Sequence, residues 1–306
     1  MMWFRPKLGL VLGGGGARGG AHLGVLRVLN ELHYKPDVVV GTSIGGVVAV
    51  SYGMGWSVEY MEDLLRRTDF DELIKVDRSG TGLVGTQAIE AELRRAFGNA
   101  DMRDLSPHVA VMAADIVRGE RVLIDRGPVV KALLATTAVP GLFPAVRWGE
   151  RLLVDGGIVS NVPVQAAYEL GARRVVAVDL GSDMDLGLAL ADVGSFSKQL
   201  QRALYWLLNL SRRQAAFDVF VRSIVFSYSM LTQYELALYP PDVLIRPQVK
   251  RVGLLAMERI METIEAGERA ASGAAHAVSA IMRLRYRPPR RGAASLPPLA
   301  VAEEVH

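Results

Sequence analysis

The chain has 306 residues, half of them hydrophobic, and its mean hydropathy of +0.22 allows a large core with some apolar surface left over. Its net charge of +3 is too small to indicate a nucleic-acid partner, and the absence of cysteine excludes a disulfide framework and cysteine-ligated metals. The sequence has no run of about 18 apolar residues and no signal-peptide pattern. We therefore expect a cytoplasmic protein whose contact with membranes is limited to their surface.

Short runs of β-branched residues alternate with amphipathic stretches of helical length. This alternation is typical of a three-layer α/β/α domain, in which helices cover both faces of a mainly parallel sheet. The predicted strands are Leu8–Leu12, Asp37–Gly41, Val109–Asp115, Arg121–Ile124, Leu152–Val154, Val175–Val178 and Val243–Arg246. The predicted helices are Gly19–Leu32, Ile44–Met54, Glu59–Arg67, Thr86–Phe97, Val129–Ala135, Val164–Glu169 and Gly253–Glu265.

Two segments depart from this alternation. Residues 196–238 are rich in aromatic residues and helical in period, and apolar side chains crowd nearly every helix face at Leu204, Trp206, Leu207, Leu208 and Leu210. We interpret this segment as an apolar insertion that is covered by the domain itself, by a second copy in a homodimer, or by lipid. Residues 283–306 are dominated by Pro, Arg, Gly and Ala, so we predict a disordered tail after one domain over residues 1–282.

The pattern G-x-S-x-G occurs at Gly41-Thr-Ser-Ile-Gly45, after the apolar run DVVV and before a helical stretch. A serine at a sharp strand-to-helix turn has a strained backbone, and the residues two positions before and after it must be very small. Gly41 and Gly45 meet that requirement, and the N-terminus of the following helix favours negative charge near the serine. Ser43 is therefore our candidate nucleophile, although a serine that only caps a helix would show the same letters.

A glycine-rich loop, GGGGARGG, joins the first strand to the first helix, and its backbone N–H groups can bind an anion. In acyl transfer it would form an oxyanion hole from the N–H groups of Gly14 to Gly16, together with that of Ile44. In a dinucleotide-binding enzyme it would hold a pyrophosphate, with an acidic residue at the end of the second strand. Asp37 stands before the run VVVG at the start of that strand and not at its end, so the sequence favours the oxyanion hole. Arg18 orients this loop, packs against the helix or attracts an anionic head group.

The nucleophile needs a base, and none of the five histidines follows a late strand as a Ser-His-Asp hydrolase requires: His22, His33, His108, His276 and His306. Asp155 follows the strand LLV and precedes Gly156 and Gly157, which permit a close approach of the backbone to the serine. After partial desolvation its carboxylate can accept the serine proton. Asp-Gly-Gly is also an ordinary turn, and Asp115, at the end of another strand, is a second candidate.

Together these motifs resemble the patatin-like phospholipases, especially the bacterial proteins and the catalytic domains of the neuropathy target esterase type. The residues that carry the resemblance are GGGGARG, GTSIG and the late DGG, in that order, with Ala138-Val-Pro140 and Phe143-Pro144 before the last motif and Asn161-Val-Pro163 after it. The resemblance covers Leu8 to Leu180 well and the remainder loosely.

The resemblance implies a patatin-like fold and hydrolysis of acyl esters in phospholipids, lysophospholipids or neutral lipids, without a metal or cofactor. Ser43 would be the nucleophile and Asp155 its only partner. The oxyanion hole would be formed by Gly14, Gly15 and Gly16, and the motifs would be supported by Arg18, Gly19, Gly41, Gly45, Gly156 and Gly157. Residues 196–238 are our candidate for the mobile apolar element that family members often carry over the site. A lipid-binding relative without catalysis and a dinucleotide-dependent oxidoreductase are the alternative hypotheses.

Overall fold

The computed structural model describes residues 6–73, 75–76, 84–181, 211–253, 256–283 and 300–301. Its helices are α1 Gly20–Glu31, α2 Ile44–Gly53, α3 Val58–Arg67, α4 Phe70–Leu73, α5 Gln87–Phe97, α6 Val129–Thr136, α7 Val164–Glu169, α8 Ser211–Leu238 and α9 Ile260–Arg283. Its strands are β1 Leu8–Leu12, β2 Val38–Thr42, β3 Lys75–Val76, β4 Val84–Gly85, β5 His108–Asp115, β6 Glu120–Ile124, β7 Val146–Trp148, β8 Arg151–Asp155, β9 Arg174–Val178, β10 Val243–Ile245 and β11 Ala300–Val301.

One large sheet forms the centre of the molecule, in the order β10-β9-β1-β2-β5-β6-β11. The strands from β10 to β5 are parallel, whereas β6 and β8 both run antiparallel to β5, and β7 is antiparallel to β8. Every residue of β1, β2 and β9 is buried, as expected where helices cover both faces of a parallel sheet. The prediction of an α/β fold with a mainly parallel sheet is confirmed.

The carboxyl ends of β2 and β8 meet head-on along one side of β5. β2 pairs with β5 in parallel up to Thr42, which lies opposite Met112. The next residue of β5, Ala113, lies opposite Asp155 at the end of the antiparallel strand β8. Successive residues of a strand are only about 3.3 Å apart, so both strands stop at nearly the same level. Ser43, which directly follows β2, is therefore brought beside Asp155.

Helices α1 and α9 pack with their backbones in direct contact, because both carry glycine where they meet. A Cβ atom on Gly24 would lie 2.0 Å from the carbonyl oxygen of Ile264, and one on Gly267 would lie 2.0 Å from that of Ala21. Any larger side chain at these positions would force the helices apart. Since α1 directly follows the glycine-rich loop, this contact holds the helix on which the loop is mounted.

Two expectations from the sequence are corrected. The last predicted helix, Gly253–Glu265, instead begins at Ile260 and continues to Arg283, because the alanine-rich residues after Gly267 sustain it. The predicted tail is not disordered at Ala300–Val301, which pair in parallel with β6, and its residues 284–299 and 302–306 lie outside the described residues. The other predicted elements are present, with ends within one residue of the prediction.

The candidate insertion over residues 196–238 is described from Ser211, where α8 begins, and residues 196–210 lie outside the described part. Among the helices that the structure describes, none combines the length and the apolar character needed to cross a bilayer.

The substitution Gly24→Ala should lower the free energy of unfolding by about 1–3 kcal/mol, because its methyl group would force two packed backbones apart. Gly273 is the matched control, since it lies in α9 and no atom is within 4 Å of the position its Cβ would take. Gly273→Ala should raise stability by up to about 1 kcal/mol. Urea unfolding measures both changes, and a stabilising effect of Gly24→Ala would contradict the close contact of α1 and α9.

Candidate active site

Ser43 occupies the turn between β2 and α2 in a strained backbone conformation, with φ 54° and ψ −127°. Positive φ is rare for residues other than glycine and occurs at sites where the surrounding structure enforces it. A Cβ atom on Gly41 would lie 2.3 Å from the carbonyl oxygen of Gly45, and one on Gly45 would lie 2.1 Å from that of Leu12. The turn therefore closes only with glycine on both sides of the serine, as the sequence pattern requires.

Thr136, at the end of α6, supports this turn through a hydrogen bond to the backbone of Ser43. The backbone N–H group of Ser43 donates a hydrogen bond to the Thr136 hydroxyl oxygen at 2.9 Å, and that hydroxyl donates to the carbonyl oxygen of Met112 at 2.6 Å. The side chain of Thr136 is fully buried, so neither partner is replaced by solvent. Sequence reasoning missed this residue, because nothing in the run ATTAVP distinguishes a buried support from an ordinary helix end.

The carboxylate of Asp155 is buried and accepts a hydrogen bond from the N–H group of Gly157 at 2.7 Å. Burial raises the pKa of Asp155 to about 6, and the nearby Ser43 hydroxyl and the Gly157 N–H group oppose that rise by favouring the charged form. Gly156 permits the approach, because its Cβ would lie 2.5 Å from the carbonyl oxygen of Met112. The carboxylate is thus both close to the serine and more basic than a solvated one.

The glycine-rich loop passes beside the nucleophile, and a Cβ atom on Gly14 would lie 3.3 Å from that of Ser43. The N–H group of Gly14 donates to the carbonyl oxygen of Asn161 at 3.1 Å, so its predicted role as an oxyanion donor is corrected. Gly15 and Gly16 are half-buried, and their N–H groups make no hydrogen bond to another described residue. The same holds for the N–H group of Ile44, the first residue of α2. These three groups are the candidate oxyanion donors.

Buried side chains hold the glycine-rich loop in place. His22 contacts the carbonyl oxygen of Gly13 through Nε2 at 2.8 Å, and burial lowers its pKa to about 4, so the neutral imidazole donates this bond. Arg18 is 1% exposed, and its Nε donates to the carbonyl oxygen of Val252 at 2.6 Å. Of the roles predicted for Arg18, orienting the loop therefore fits, and binding a head group does not. Gly19 completes the packing, because its Cβ would lie 2.2 Å from the side chain of Ile44.

Asp115, the second candidate base, has a different role. One oxygen of its carboxylate accepts from the N–H group of Val117 at 3.0 Å, and the other pairs with Arg151 at 3.2 Å. It lies opposite Leu153, two residues past the position on β5 that faces Asp155. Asp115 therefore organises the turn between β5 and β6 and does not serve the nucleophile.

Asp37 does not fit the acidic residue of a dinucleotide site. Its Oδ2 accepts from the N–H group of Leu8 at 2.8 Å, at the amino end of β1 and thus at the edge of the sheet opposite the glycine-rich loop. Among the described residues, β2 ends in Thr42 and not in the carboxylate that would bind a ribose in that fold.

The family model described as patatin-like phospholipase matches residues 10–168, just over half of the chain. The chain belongs to the patatin-like phospholipase family. An uncharacterized NTE family protein of Mycobacterium tuberculosis is 28% identical over 285 residues, covering 90% of this chain and 48% of that protein. Neuropathy target esterase sws of Drosophila melanogaster is 28% identical over 190 residues, covering 60% of this chain and 13% of that protein. The chain thus spans about half the length, or less, of these curated relatives.

The crystal structure of VipD from Legionella pneumophila matches with a TM-score of 0.53 at 15% identity, covering 89% of this chain and 67% of that chain. At this identity the likeness concerns the fold alone. It agrees with the α/β arrangement of this patatin-like phospholipase domain.

Helix α8 of the patatin-like domain lies over the turn that follows Asp155. A Cβ atom on Gly157 would lie 2.9 Å from the ring of Tyr228, whose buried hydroxyl has no hydrogen-bond partner among the described residues. Burial and the nearby charge of Asp155 raise the pKa of Tyr228, so the phenol stays neutral. Further along α8, Glu235 accepts a hydrogen bond from the Ser160 hydroxyl at 2.5 Å, and burial raises its pKa to about 7. The described part of the candidate insertion, Ser211–Leu238, therefore packs against the turn that follows Asp155.

The substitution Thr136→Val keeps the shape of the side chain but removes the oxygen that accepts the Ser43 N–H bond. A buried N–H group without a partner typically costs about 1–3 kcal/mol, so the free energy of unfolding should fall by that amount. Relaxation of the turn should also lower kcat for a soluble ester by about tenfold or more. Thr136→Ser retains the hydroxyl and should recover most of the rate. Parental turnover in Thr136→Val would show that Thr136 does not position the serine.

Proposed function

We propose that the chain hydrolyses acyl esters of phospholipids or lysophospholipids through an acyl-enzyme formed on Ser43. The observation that carries this proposal is the strand register that brings the strained turn at Ser43 beside the buried carboxylate of Asp155, where the Ser43 hydroxyl favours the charged form of that carboxylate. The N–H groups of Gly15, Gly16 and Ile44 donate no hydrogen bond to another described residue. Ile44 directly follows Ser43, and the glycine-rich loop passes beside that serine at Gly14, which supports an oxyanion hole here. Membership of the patatin-like phospholipase family and the name of neuropathy target esterase support an ester of a lipid as substrate.

In the acylation step, Asp155 accepts the hydroxyl proton as the Ser43 oxygen bonds to the carbonyl carbon of the ester. The carbonyl oxygen becomes an oxyanion, which the N–H groups of the glycine-rich loop and the N-terminus of α2 stabilise. The carbon–oxygen bond to the leaving alcohol then breaks, and the proton on Asp155 passes to that alcohol. The product is an ester of the fatty acid with Ser43.

In the deacylation step, a water molecule takes the place of the alcohol. Asp155 accepts a proton from the water as the water oxygen attacks the acyl carbon, and the same N–H donors stabilise the second oxyanion. The bond to the Ser43 oxygen breaks, Ser43 regains a proton from Asp155, and the fatty acid leaves. One carboxylate thus serves as base and acid in both steps.

A lipid substrate also requires contact with a membrane surface, and we propose that the protein acts there as a peripheral enzyme. Helix α8 supports this proposal, because it packs against the turn that follows Asp155 while leaving Phe226 55% exposed and Tyr234 59% exposed. Large apolar side chains around a site of this kind are typical of proteins that bind lipid or a partner.

The dyad can be tested on a soluble p-nitrophenyl ester. Ser43→Ala and Asp155→Asn should each lower kcat at least a thousandfold, because each removes a group that forms or breaks bonds in both steps. Asp115→Asn should retain most of the activity, since Asp115 contacts the hairpin and not the serine. Parental activity in Asp155→Asn would refute the dyad.

The loss in Asp155→Asn can be separated from unfolding. A carboxyl group whose pKa is raised by burial from 3.8 to about 6 lowers the free energy of unfolding as the pH rises through that range. Asparagine keeps an acceptor for the Gly157 N–H group and removes the buried charge. Asp155→Asn should therefore be at least as stable as the parent at about pH 8, as measured by urea unfolding.

The pH dependence of kcat/KM should report the ionisation of Asp155 in the free enzyme. Only the carboxylate accepts the serine proton, and its pKa is raised to about 6, so kcat/KM should be constant above about pH 7. Below the pKa it should fall about tenfold for each pH unit. A profile that stays flat down to about pH 4.5 would contradict the assignment of Asp155 as the base.

A further inference from the structure

The hairpin between β5 and β6 ends in two exposed apolar side chains. Ile116 is 51% exposed and Val117 is 66% exposed, which makes Val117 the most exposed large hydrophobic side chain among the described residues. We call residues 116–119 the hairpin tip. β-branched apolar residues at the end of a hairpin are unusual, because turns there commonly carry small and polar residues.

Buried interactions hold the hairpin tip in this conformation. The carboxylate of Asp115 accepts from the N–H group of Val117 at 3.0 Å and pairs with Arg151 at 3.2 Å. Its carbonyl oxygen accepts from the N–H group of Gly119 at 2.9 Å, and Gly119 has a positive φ of 67° that closes the turn. A charge buried in this way needs such partners. The exposed pair is therefore presented by a rigid turn.

The hairpin tip extends beyond the catalytic pair on the edge of the sheet where the serine lies. Asp155 is opposite Ala113, and Ile116 is three residues further along the same chain direction. At about 3.3 Å per residue, the tip stands roughly 10 Å beyond the level of Asp155. Apolar groups of peripheral proteins enter a bilayer by about 5–10 Å. Insertion of the tip would thus bring the catalytic edge to the membrane surface.

Charges beside the tip fit an anionic surface. Arg147 is exposed on β7 opposite Leu152, whose carbonyl oxygen accepts from the N–H group of Ile116 at 3.0 Å. Arg118 follows the apolar pair directly and contacts the highly exposed Glu150 at 3.2 Å. Glu150 balances the charge of Arg118, so Arg147 supplies the exposed positive charge beside the apolar pair, and apolar side chains next to such a cation are a combination that binds anionic lipid head groups.

We propose that Ile116 and Val117 insert into the surface of an anionic phospholipid bilayer and orient the catalytic edge toward it. The proposal rests on the proposed lipid substrate, since a soluble substrate would require no such contact. It assigns a function to the hairpin that Asp115 builds, and it explains why this hairpin is both rigid and apolar.

The chain contains no cysteine, so a single cysteine can carry an environment-sensitive fluorophore. We would label Val117→Cys in a Ser43→Ala background and add vesicles of phosphatidylcholine with phosphatidylglycerol. Tyr60→Cys is the matched control, since Tyr60 is 50% exposed and lies near the start of α3. The preceding helix, α2, ends at Gly53, which packs against Val109 at the amino end of β5 and thus at the opposite edge of the sheet. We expect a blue shift and a rise in fluorescence at position 117 and no change at position 60.

An unshifted probe at position 117 in the presence of vesicles would overturn the proposal. A shift that appears without vesicles as protein concentration rises would also overturn it, because it would identify an interface between copies of the chain. Because Ser43→Ala protein is used, this readout needs no catalysis. If the probe at position 117 enters the bilayer but the parent chain hydrolyses no ester, the proposed function is refuted and the bilayer contact stands.

The double substitution Ile116→Ser with Val117→Ser gives a second readout in the active chain. The ratio of vesicle phospholipid hydrolysis to soluble ester hydrolysis should fall at least tenfold, because serine removes the groups that enter the bilayer. Tyr60→Ser should leave that ratio unchanged. An equal loss on both substrates, with an unchanged ratio, would count against a role at the bilayer.

Discussion

The site depends on the meeting of two strand ends along one side of β5. Because β8 runs antiparallel to β5 and stops where β2 stops, Asp155 reaches Ser43 directly from the end of a strand. The sheet therefore fixes the two groups relative to each other. Burial at this point raises the pKa of Asp155 to about 6, and the hydrogen bond from Gly157 together with the nearby Ser43 hydroxyl favours its ionised form. In the proposed mechanism, a carboxylate of this basicity makes a histidine unnecessary.

Buried polar side chains stabilise the less regular parts of the site. The strained turn at Ser43 rests on Thr136, and the glycine-rich loop is held by His22, Arg18 and the backbone of Asn161. A strained backbone persists only where surrounding contacts enforce it. None of these bonds uses the N–H groups of Gly15 and Gly16, which the proposed mechanism assigns to the oxyanion.

The sequence was sufficient for features that depend on residues close together in the chain. Most of the helices and strands and the glycine requirement at positions 41 and 45 follow from local patterns, and Asp155 was chosen as the candidate base from its place after a strand and from the family resemblance. Features that depend on distant contacts were not predictable. Thr136 binds Ser43, 93 positions away in the chain. The N–H group of Gly14 is occupied by the carbonyl oxygen of Asn161, which no local pattern among the four consecutive glycines reveals. The strand at Ala300–Val301 was missed for the same reason, since its partner is β6.

The central claim is that Ser43 is a nucleophile activated by Asp155, and covalent labelling tests it most directly. A fluorophosphonate reacts with an activated serine, and peptide mass spectrometry locates the adduct. The account predicts one adduct, on the peptide that contains Ser43, formed at least a hundredfold more slowly in Asp155→Asn. An adduct at another serine, or labelling of Ser43 at the same rate in Asp155→Asn, would contradict it.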